Sequence, residues 1–170
     1  MFGNPEKIIE DLHLKSDMRA ADFGCGSGGW TIPLAEKLDE GLVYAIDLLE
    51  EPLSALKGKL EQKSLANVKT VVENIEKGVS IRDRSVDLVL MTNFLFQVED
   101  REKVISEAKR VLRKEGVLLI TEWSPDSPIG LKLSKINPEE VRELVEKHDF
   151  YLKESFSAGL HHYGFIYKKK

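Results

Sequence analysis

Short apolar runs alternate along the chain with stretches whose apolar residues recur at helical spacing. Asn4-Pro5-Glu6 predicts a helix start, a capping side chain followed by proline at the first helical position. Ile8, Ile9 and Leu12 then share one face to about His13. Met18 to Phe23 is the first strand. From Trp30 the pattern turns helical, with Ile32, Leu34, Ala35 and Leu38 apolar and Pro33 near the first turn, and Asp39-Glu40-Gly41 ends it. Residues 42–46 form strand two. A helix opening at Glu51-Pro52 carries Leu53, Leu56 and Leu60, and Gly58 weakens it by roughly 1 kcal/mol. Val68 to Val72 is strand three, and Val86 to Met91 is a nearly continuous apolar run, as buried parallel strands are. Residues 101–113 place Val104, Ile105, Ala108, Val111 and Leu112 on one helical face, and Val117 to Thr121 is strand five. An irregular stretch over 122–137 precedes a last helix, capped by Asn137-Pro138-Glu139-Glu140, whose face is Val141, Leu144, Val145 and His148. Phe150 to Phe156 and Leu160 to Tyr167 predict a hairpin turning at Ala158-Gly159, with Lys168-Lys169-Lys170 as a solvated tail.

Strands alternating with helices predict an α/β fold: a Rossmann-like, doubly wound, mostly parallel sheet ending in an antiparallel hairpin. The expected organisation is one domain over 1–170, with an N-terminal helix in 1–14 and the core in 15–167. Ligands of such sheets bind at the carboxyl ends of the strands. That rule sets Asp22, Asp47, Asn74, Asn93 and Glu122 along one rim.

Composition narrows the partners. The chain has 170 residues, 42% hydrophobic and 32% charged, which is ordinary for a soluble globular protein. A net charge of −4 and a pI near 5.7 argue against a nucleic-acid footprint. No apolar run reaches the length of a membrane span, and no signal-peptide pattern opens the chain. The single cysteine, Cys25, fits a reducing compartment, so the cytoplasm is the expected location. With one cysteine and four histidines at no zinc-ligand spacing, no metal is expected.

The chemistry concentrates in Ala20-Ala21-Asp22-Phe23-Gly24-Cys25-Gly26-Ser27-Gly28-Gly29-Trp30. Glycines at this density let the backbone turn sharply and approach a ligand closely, ahead of a helix whose free N–H groups point back at the turn. Gly24, Gly26 and Gly29 satisfy the dinucleotide pattern G-x-G-x-x-G, while Gly24, Gly26 and Gly28 satisfy G-x-G-x-G. Gly24 and Gly29 also open a P-loop pattern, but Trp30 stands where its lysine belongs. Asp22 would repel a pyrophosphate and attract an ammonium or sulfonium. Asp47, about 20 residues further on, stands where an acid hydrogen-bonds ribose hydroxyls. S-adenosylmethionine has the ribose and the positive methionine end and lacks the phosphates.

Asp22-Phe23-Gly24-Cys25-Gly26-Ser27-Gly28 resembles motif I of the class I S-adenosylmethionine-dependent methyltransferases. Asp47 matches their acidic ribose position, and Asp87-Leu88-Val89-Leu90 followed by Asn93-Phe94 resembles their fourth strand. Arg110 to Leu118 resembles their R-V-L-K-P-G-G-x-L passage, departing from it with Lys114-Glu115-Gly116 in place of Pro-Gly-Gly. The likeness spans about residues 15–167 and is closest to the ubiquinone/menaquinone-type, small-molecule branch. It implies a cofactor-binding set of Asp22, Gly24, Cys25, Gly26, Gly28, Asp47, Leu48, Asn74, Ile75 and Asn93, with Asn74 at the adenine edge.

The expected activity is therefore methyl transfer from S-adenosylmethionine to a small-molecule acceptor. Such transfer needs alignment more than a marked catalytic group, and no catalytic residue is assigned. Phe94, Trp123, His161 and His162 are the substrate-side candidates, either histidine being a possible base. Phe96 stands at the same rim. The irregular segment Trp123 to Ile136, with Ile129, Leu131 and Leu133, is expected to fold over the acceptor or pack on a neighbouring helix. A nicotinamide-dependent oxidoreductase is the rival enzyme, disfavoured by Asp22 and the lack of a Tyr-x-x-x-Lys pair. A non-catalytic cofactor-binding module supporting a partner is the rival of another kind. Acceptor identity and oligomeric state are not legible.

Overall fold

The structure, a computed structural model, describes residues 4–128 and 135–170. Its elements run α1 (Pro5–Asp11), β1 (Arg19–Phe23), α2 (Thr31–Lys37), β2 (Leu42–Asp47), α3 (Glu50–Gln62), β3 (Val68–Val72), β4 (Val86–Thr92), α4 (Arg101–Val111), β5 (Leu112–Trp123), α5 (Pro138–Glu146), β6 (Phe150–Ser157) and β7 (His162–Lys169). Two single 3-10 turns, Ile75–Lys77 and Leu95–Gln97, follow β3 and β4. The strands form one sheet in the order β3-β2-β1-β4-β5-β7-β6. The first five pair in parallel, and β7 is inserted antiparallel between β5 and β6.

The alternation of side chains explains why both sheet faces are covered. Ala21, Val89, Met91, Leu118 and Ile120 face one side, against Val104, Ile105 and Ala108 of α4 and Val141 and Val145 of α5. Their sequence neighbours Ala20, Leu88, Leu90 and Leu119 face the other, against Ile9 of α1 and Leu34, Ala35 and Leu38 of α2. Leu53, Leu56 and Leu60 of α3 cover Ala45. Each such side chain fully removed from water contributes roughly 1.5–3 kcal/mol.

Three expectations need correction. The fourth helix ends at Val111 rather than at residue 113, because Leu112 turns extended and pairs with Val86, so that β5 starts there. The turn at 113–116 is then a bulge within β5. Glu115 adopts φ +62 where the resembled family has glycine, and Gly116 is required because a Cβ there would lie 2.8 Å from the carbonyl of Arg113. The hairpin turns over 158–161, so β7 begins at His162 rather than Leu160. Lys169, expected in a solvated tail, is buried. Its ammonium donates to the carbonyls of Lys109 (2.6 Å) and Leu112 (2.7 Å), closing the carboxyl end of α4, where a cation complements the helix dipole.

Candidate active site

The site forms where the parallel strands end. After Phe23 the chain leaves β1 in a turn whose Gly24 and Cys25 amides donate to the carbonyl of Ile46 at 2.9 and 3.0 Å, fastening it to β2. Gly24, Gly26 and Gly28 take φ of +74, +52 and +89, a region that L side chains rarely adopt, and Gly29 does not. The glycines of G-x-G-x-G are thus the ones the backbone requires. The Lys59 ammonium donates to the carbonyl of Ser27 at 2.8 Å and ties the turn to α3.

Asp47 ends β2, and both its oxygens are held by backbone. Oδ2 accepts from the Gly26 amide at 2.9 Å and Oδ1 from the Leu49 amide at 3.0 Å. A carboxylate oxygen has room for a further donor beyond each of these bonds. Beside it opens a cavity of about 350 Å³ lined by Gly24, Gly26, Asp47, Leu48, Leu49, Pro52, Glu73, Asn74, Ile75, Glu76, Phe94, Gln97 and Val98. Leu48 and Leu49 stand exposed in its wall. Asn74 caps the turn after β3, its Oδ1 accepting from the Glu76 amide at 2.9 Å, which leaves its side-chain NH₂ and one lone pair of the oxygen for a ligand.

Seven of the fourteen expected site residues, Gly24, Gly26, Asp47, Leu48, Asn74, Ile75 and Phe94, thus meet around one space. Asp22, Cys25, Gly28 and Asn93 support it from behind rather than line it. Asp22 is fully buried, with Oδ2 accepting from the Thr31 hydroxyl at 2.6 Å and Oδ1 without a partner among the described residues. Burial pushes its carboxyl up to about 7, against the lowering effect of Thr31. Cys25 is buried, and burial, with Asp22 and Asp47 nearby, pushes its thiol up, which keeps it protonated and unreactive. Asn93 turns left-handed at φ +51, and its Oδ1 is buried without a partner among the described residues.

Trp123, His161 and His162 stand apart from this cavity, at the rim where β5 ends and β7 begins. Trp123 and His162 are a cross-strand pair with ring centroids 4.1 Å apart. Burial depresses the His162 imidazole to about 4, so it is neutral at physiological pH. His161 Nδ1 lies 3.1 Å from the Ser127 hydroxyl. Of the segment expected as a cover, Ile129, Leu131 and Leu133 lie outside the described residues. Its flanks are anchored: Trp123 bridges to Lys135, whose ammonium donates to the carbonyl of Ser127, and Ile136 is buried in the core.

One contributor was not singled out from the sequence, and another was set on the rim without a role. Thr31 gives no sequence signal. Glu122 does: it falls two residues beyond Ile120 on a core-facing register of β5, where a charge breaks the apolar pattern. It is fully buried, and burial pushes its carboxyl up to about 7.

These shifts set a pH dependence. Asp22 and Glu122 keep their protons in the folded state to about pH 7, whereas unfolded carboxyls lose them near 4. The folded state binds more protons in between, so stability falls as pH rises from 5 and levels off above about 7.5. His162, depressed from 6.5 to about 4, acts oppositely below 6.5. Two carboxyls against one imidazole leave a net fall. Thermal melts of the ligand-free protein from pH 5 to 8.5 should show it, and a midpoint rising across that range would contradict this assignment.

Glycine cradle, strand-end acid and inserted antiparallel last strand together define an α/β domain built for a nucleoside-bearing cofactor. The methyltransferase domain family matches residues 21–120, more than half of the chain, and the protein belongs to that family. By family it is a methyltransferase domain, and its sheet order is the class I arrangement. Demethylmenaquinone methyltransferase from Geobacillus sp. (strain WCH70) is 30% identical over 128 residues, covering 75% of this chain and 54% of the relative. The enzyme of that name from Staphylococcus aureus (strain MRSA252) is 32% identical over 126 residues, 73% of this chain and 51% of its own. The chain therefore spans about half the length of the curated relatives it matches. A SAM-dependent methyltransferase from Aquifex aeolicus superposes with a TM-score of 0.92 over 99% of this chain and 91% of its own, at 24% identity, a likeness of fold. Among the described residues no helix is long and apolar enough to cross a membrane. Among them, too, no three His, Cys, Asp or Glu side chains are grouped to hold a metal.

Proposed function

We propose that this chain transfers a methyl group from S-adenosylmethionine, held in the cavity between the glycine turn and Asp47, to a flat, apolar small molecule. The observation that carries the reading is that one cavity joins Gly24, Gly26, Asp47, Asn74 and Ile75, the residues the family motif assigns to the cofactor. The residues fit that group. Asp47 accepts from ribose hydroxyls, Asn74 and Ile75 border the base, and Leu48 packs on it. Gly26, with open space where a Cβ would stand, would leave room for the methionine end on the turn that Gly24 and Gly28 shape. Asp22 has a buried oxygen without a partner among the described residues, and a ligand's ammonium would be drawn toward it.

When bound, the cofactor supplies a methyl on a sulfonium, a carbon open to in-line displacement. The protein's share is to orient both reactants and keep water out. Phe94, Val98 and Ile75 give the cavity an apolar wall. The quinone-type acceptor class comes from the relatives' name, and the half-buried Trp123 ring stands further along the rim. A cytoplasmic setting agrees with a sequence that carries a single cysteine.

Isothermal calorimetry should show S-adenosylmethionine and S-adenosylhomocysteine binding, with NAD and ATP far weaker. Formation of S-adenosylhomocysteine in the presence of a demethylated quinol then tests the acceptor. Tight NAD binding without S-adenosylmethionine binding would overturn the cofactor reading. Cofactor binding without turnover on any of a panel of acceptors would instead make the chain a binding module.

A further inference from the structure

The backbone that leaves β4 is fastened to β5 by an unusual group. Asn93 donates its amide to the Thr121 carbonyl at 2.8 Å, one residue past the end of β4, and its left-handed conformation (φ +51) turns the next two amides back toward β5. Both are received by one atom. Glu122 Oε1 accepts from Phe94 at 2.9 Å and from Leu95 at 2.7 Å. From this turn the Phe94 ring lies against Gly24, so close that a Cβ built on the glycine would stand 2.2 Å from the ring's Cδ2. Gln97 and Val98, on the same turn, complete that wall of the cavity.

From this geometry we infer that Glu122 is a positioning residue for the cofactor site, holding the Asn93–Gln97 turn so that Phe94 closes on the glycine cradle. The inference rests on the cavity being the cofactor site. A carboxyl group is suited to the task because one of its oxygens has acceptor sites enough to take both amides. An apolar residue at this register of β5 would pack equally well but leave both amides unreceived. Arg101 of α4 sits near, its Nε donating to the Leu95 carbonyl at 3.0 Å, so the turn is gripped through its carbonyl as well as its amides. Tyr163 stands opposite Glu122 on β7, and its hydroxyl donates to Ile136, leaving the carboxylate to the turn.

The test is S-adenosylhomocysteine affinity by calorimetry for wild type, Glu122→Gln, Glu122→Ala, Phe94→Ala and the Glu122→Gln/Phe94→Ala pair. Binding by wild type establishes the cavity reading separately; its absence would fault that reading and not the clamp. Glu122→Gln keeps one acceptor oxygen and should fold, weakening affinity threefold or more with kcat changed less than the cofactor KM. Glu122→Ala should weaken affinity at least tenfold. If that variant does not fold, Glu122→Gln decides alone, and unchanged affinity in it overturns the inference. The double variant carries the sharper criterion. Action through Phe94 makes the two losses overlap, so the pair should bind about as weakly as Phe94→Ala alone. Strictly additive losses would mean that Glu122 only stabilises the fold, and the positioning role would be wrong.

Discussion

Gly24→Ala is expected to weaken S-adenosylmethionine binding about a hundredfold or more. Two effects act at this residue. Its φ of +74 costs an L side chain roughly 1–2 kcal/mol. The new methyl would also stand 2.2 Å from Cδ2 of the Phe94 ring, inside van der Waals contact. The backbone of Phe94 is held by Glu122, so relief must come from rotation of the ring or from the glycine turn. Either the turn after β1 shifts or Phe94 leaves, and both line the cavity. Every 1.4 kcal/mol lost is tenfold in affinity, so strain and displacement together reach that range. Two neighbours give the scale. Gly26→Ala meets open space at φ +52 and should show the strain alone, and Gly29→Ala, with open space and no positive φ, should bind as wild type does. Calorimetry on variants checked for folding by circular dichroism reads this order directly. Equal affinity for the Gly24 and Gly29 variants would mean that the cofactor does not use the cradle.

Asp47→Ala should weaken S-adenosylmethionine and S-adenosylhomocysteine alike, by roughly ten- to a hundredfold. The loss has two sources. Acceptors for the ribose hydroxyls disappear, and the amides of Gly26 and Leu49 lose the oxygens that hold them 2.9 and 3.0 Å away. Asp47→Asn retains one acceptor and should fall between. Because ribose is common to cofactor and product, the two ligands should lose affinity in parallel. Loss for one only, or for neither in a folded variant, would remove Asp47 from the ribose.

What was legible in the sequence follows a physical division. Strands and helices were readable because each buries a face, and burial imposes periods of two and 3.6 residues on a contiguous stretch. The G-x-G-x-G turn was readable because a left-handed backbone is met by glycine at fixed spacing, and Asp47 because an acid closes the apolar run of β2. Choosing among the glycine patterns needed the backbone itself, in which Gly28 and not Gly29 is left-handed. Long-range polar partners left no such trace. Lys169 looks like any lysine of a basic tail until β7 carries it beneath α4. Asn74 was expected at the adenine edge, and only the 3-10 turn reveals that its oxygen also holds the Glu76 amide. Glu122 was set on the rim, but its hold on Phe94 and Leu95 joins residues 28 and 27 apart in sequence.

The insertion of β7 between β5 and β6 bears on how the nascent chain matures. Of the seven strands, the one that seals the flank of β5 is translated last, with Thr121 waiting for Gly164 and Ile120 for Phe165. Until then β5 presents unpaired amides and carbonyls beside Leu118, Leu119 and Ile120, the kind of open edge that recruits other chains. The emerging β6 cannot close it, since its own partner is also β7. The five parallel strands can therefore assemble during synthesis, while protection from intermolecular pairing arrives in a single late docking event. The same event seats Lys169 against α4, so that sealing the sheet and capping the helix are one step.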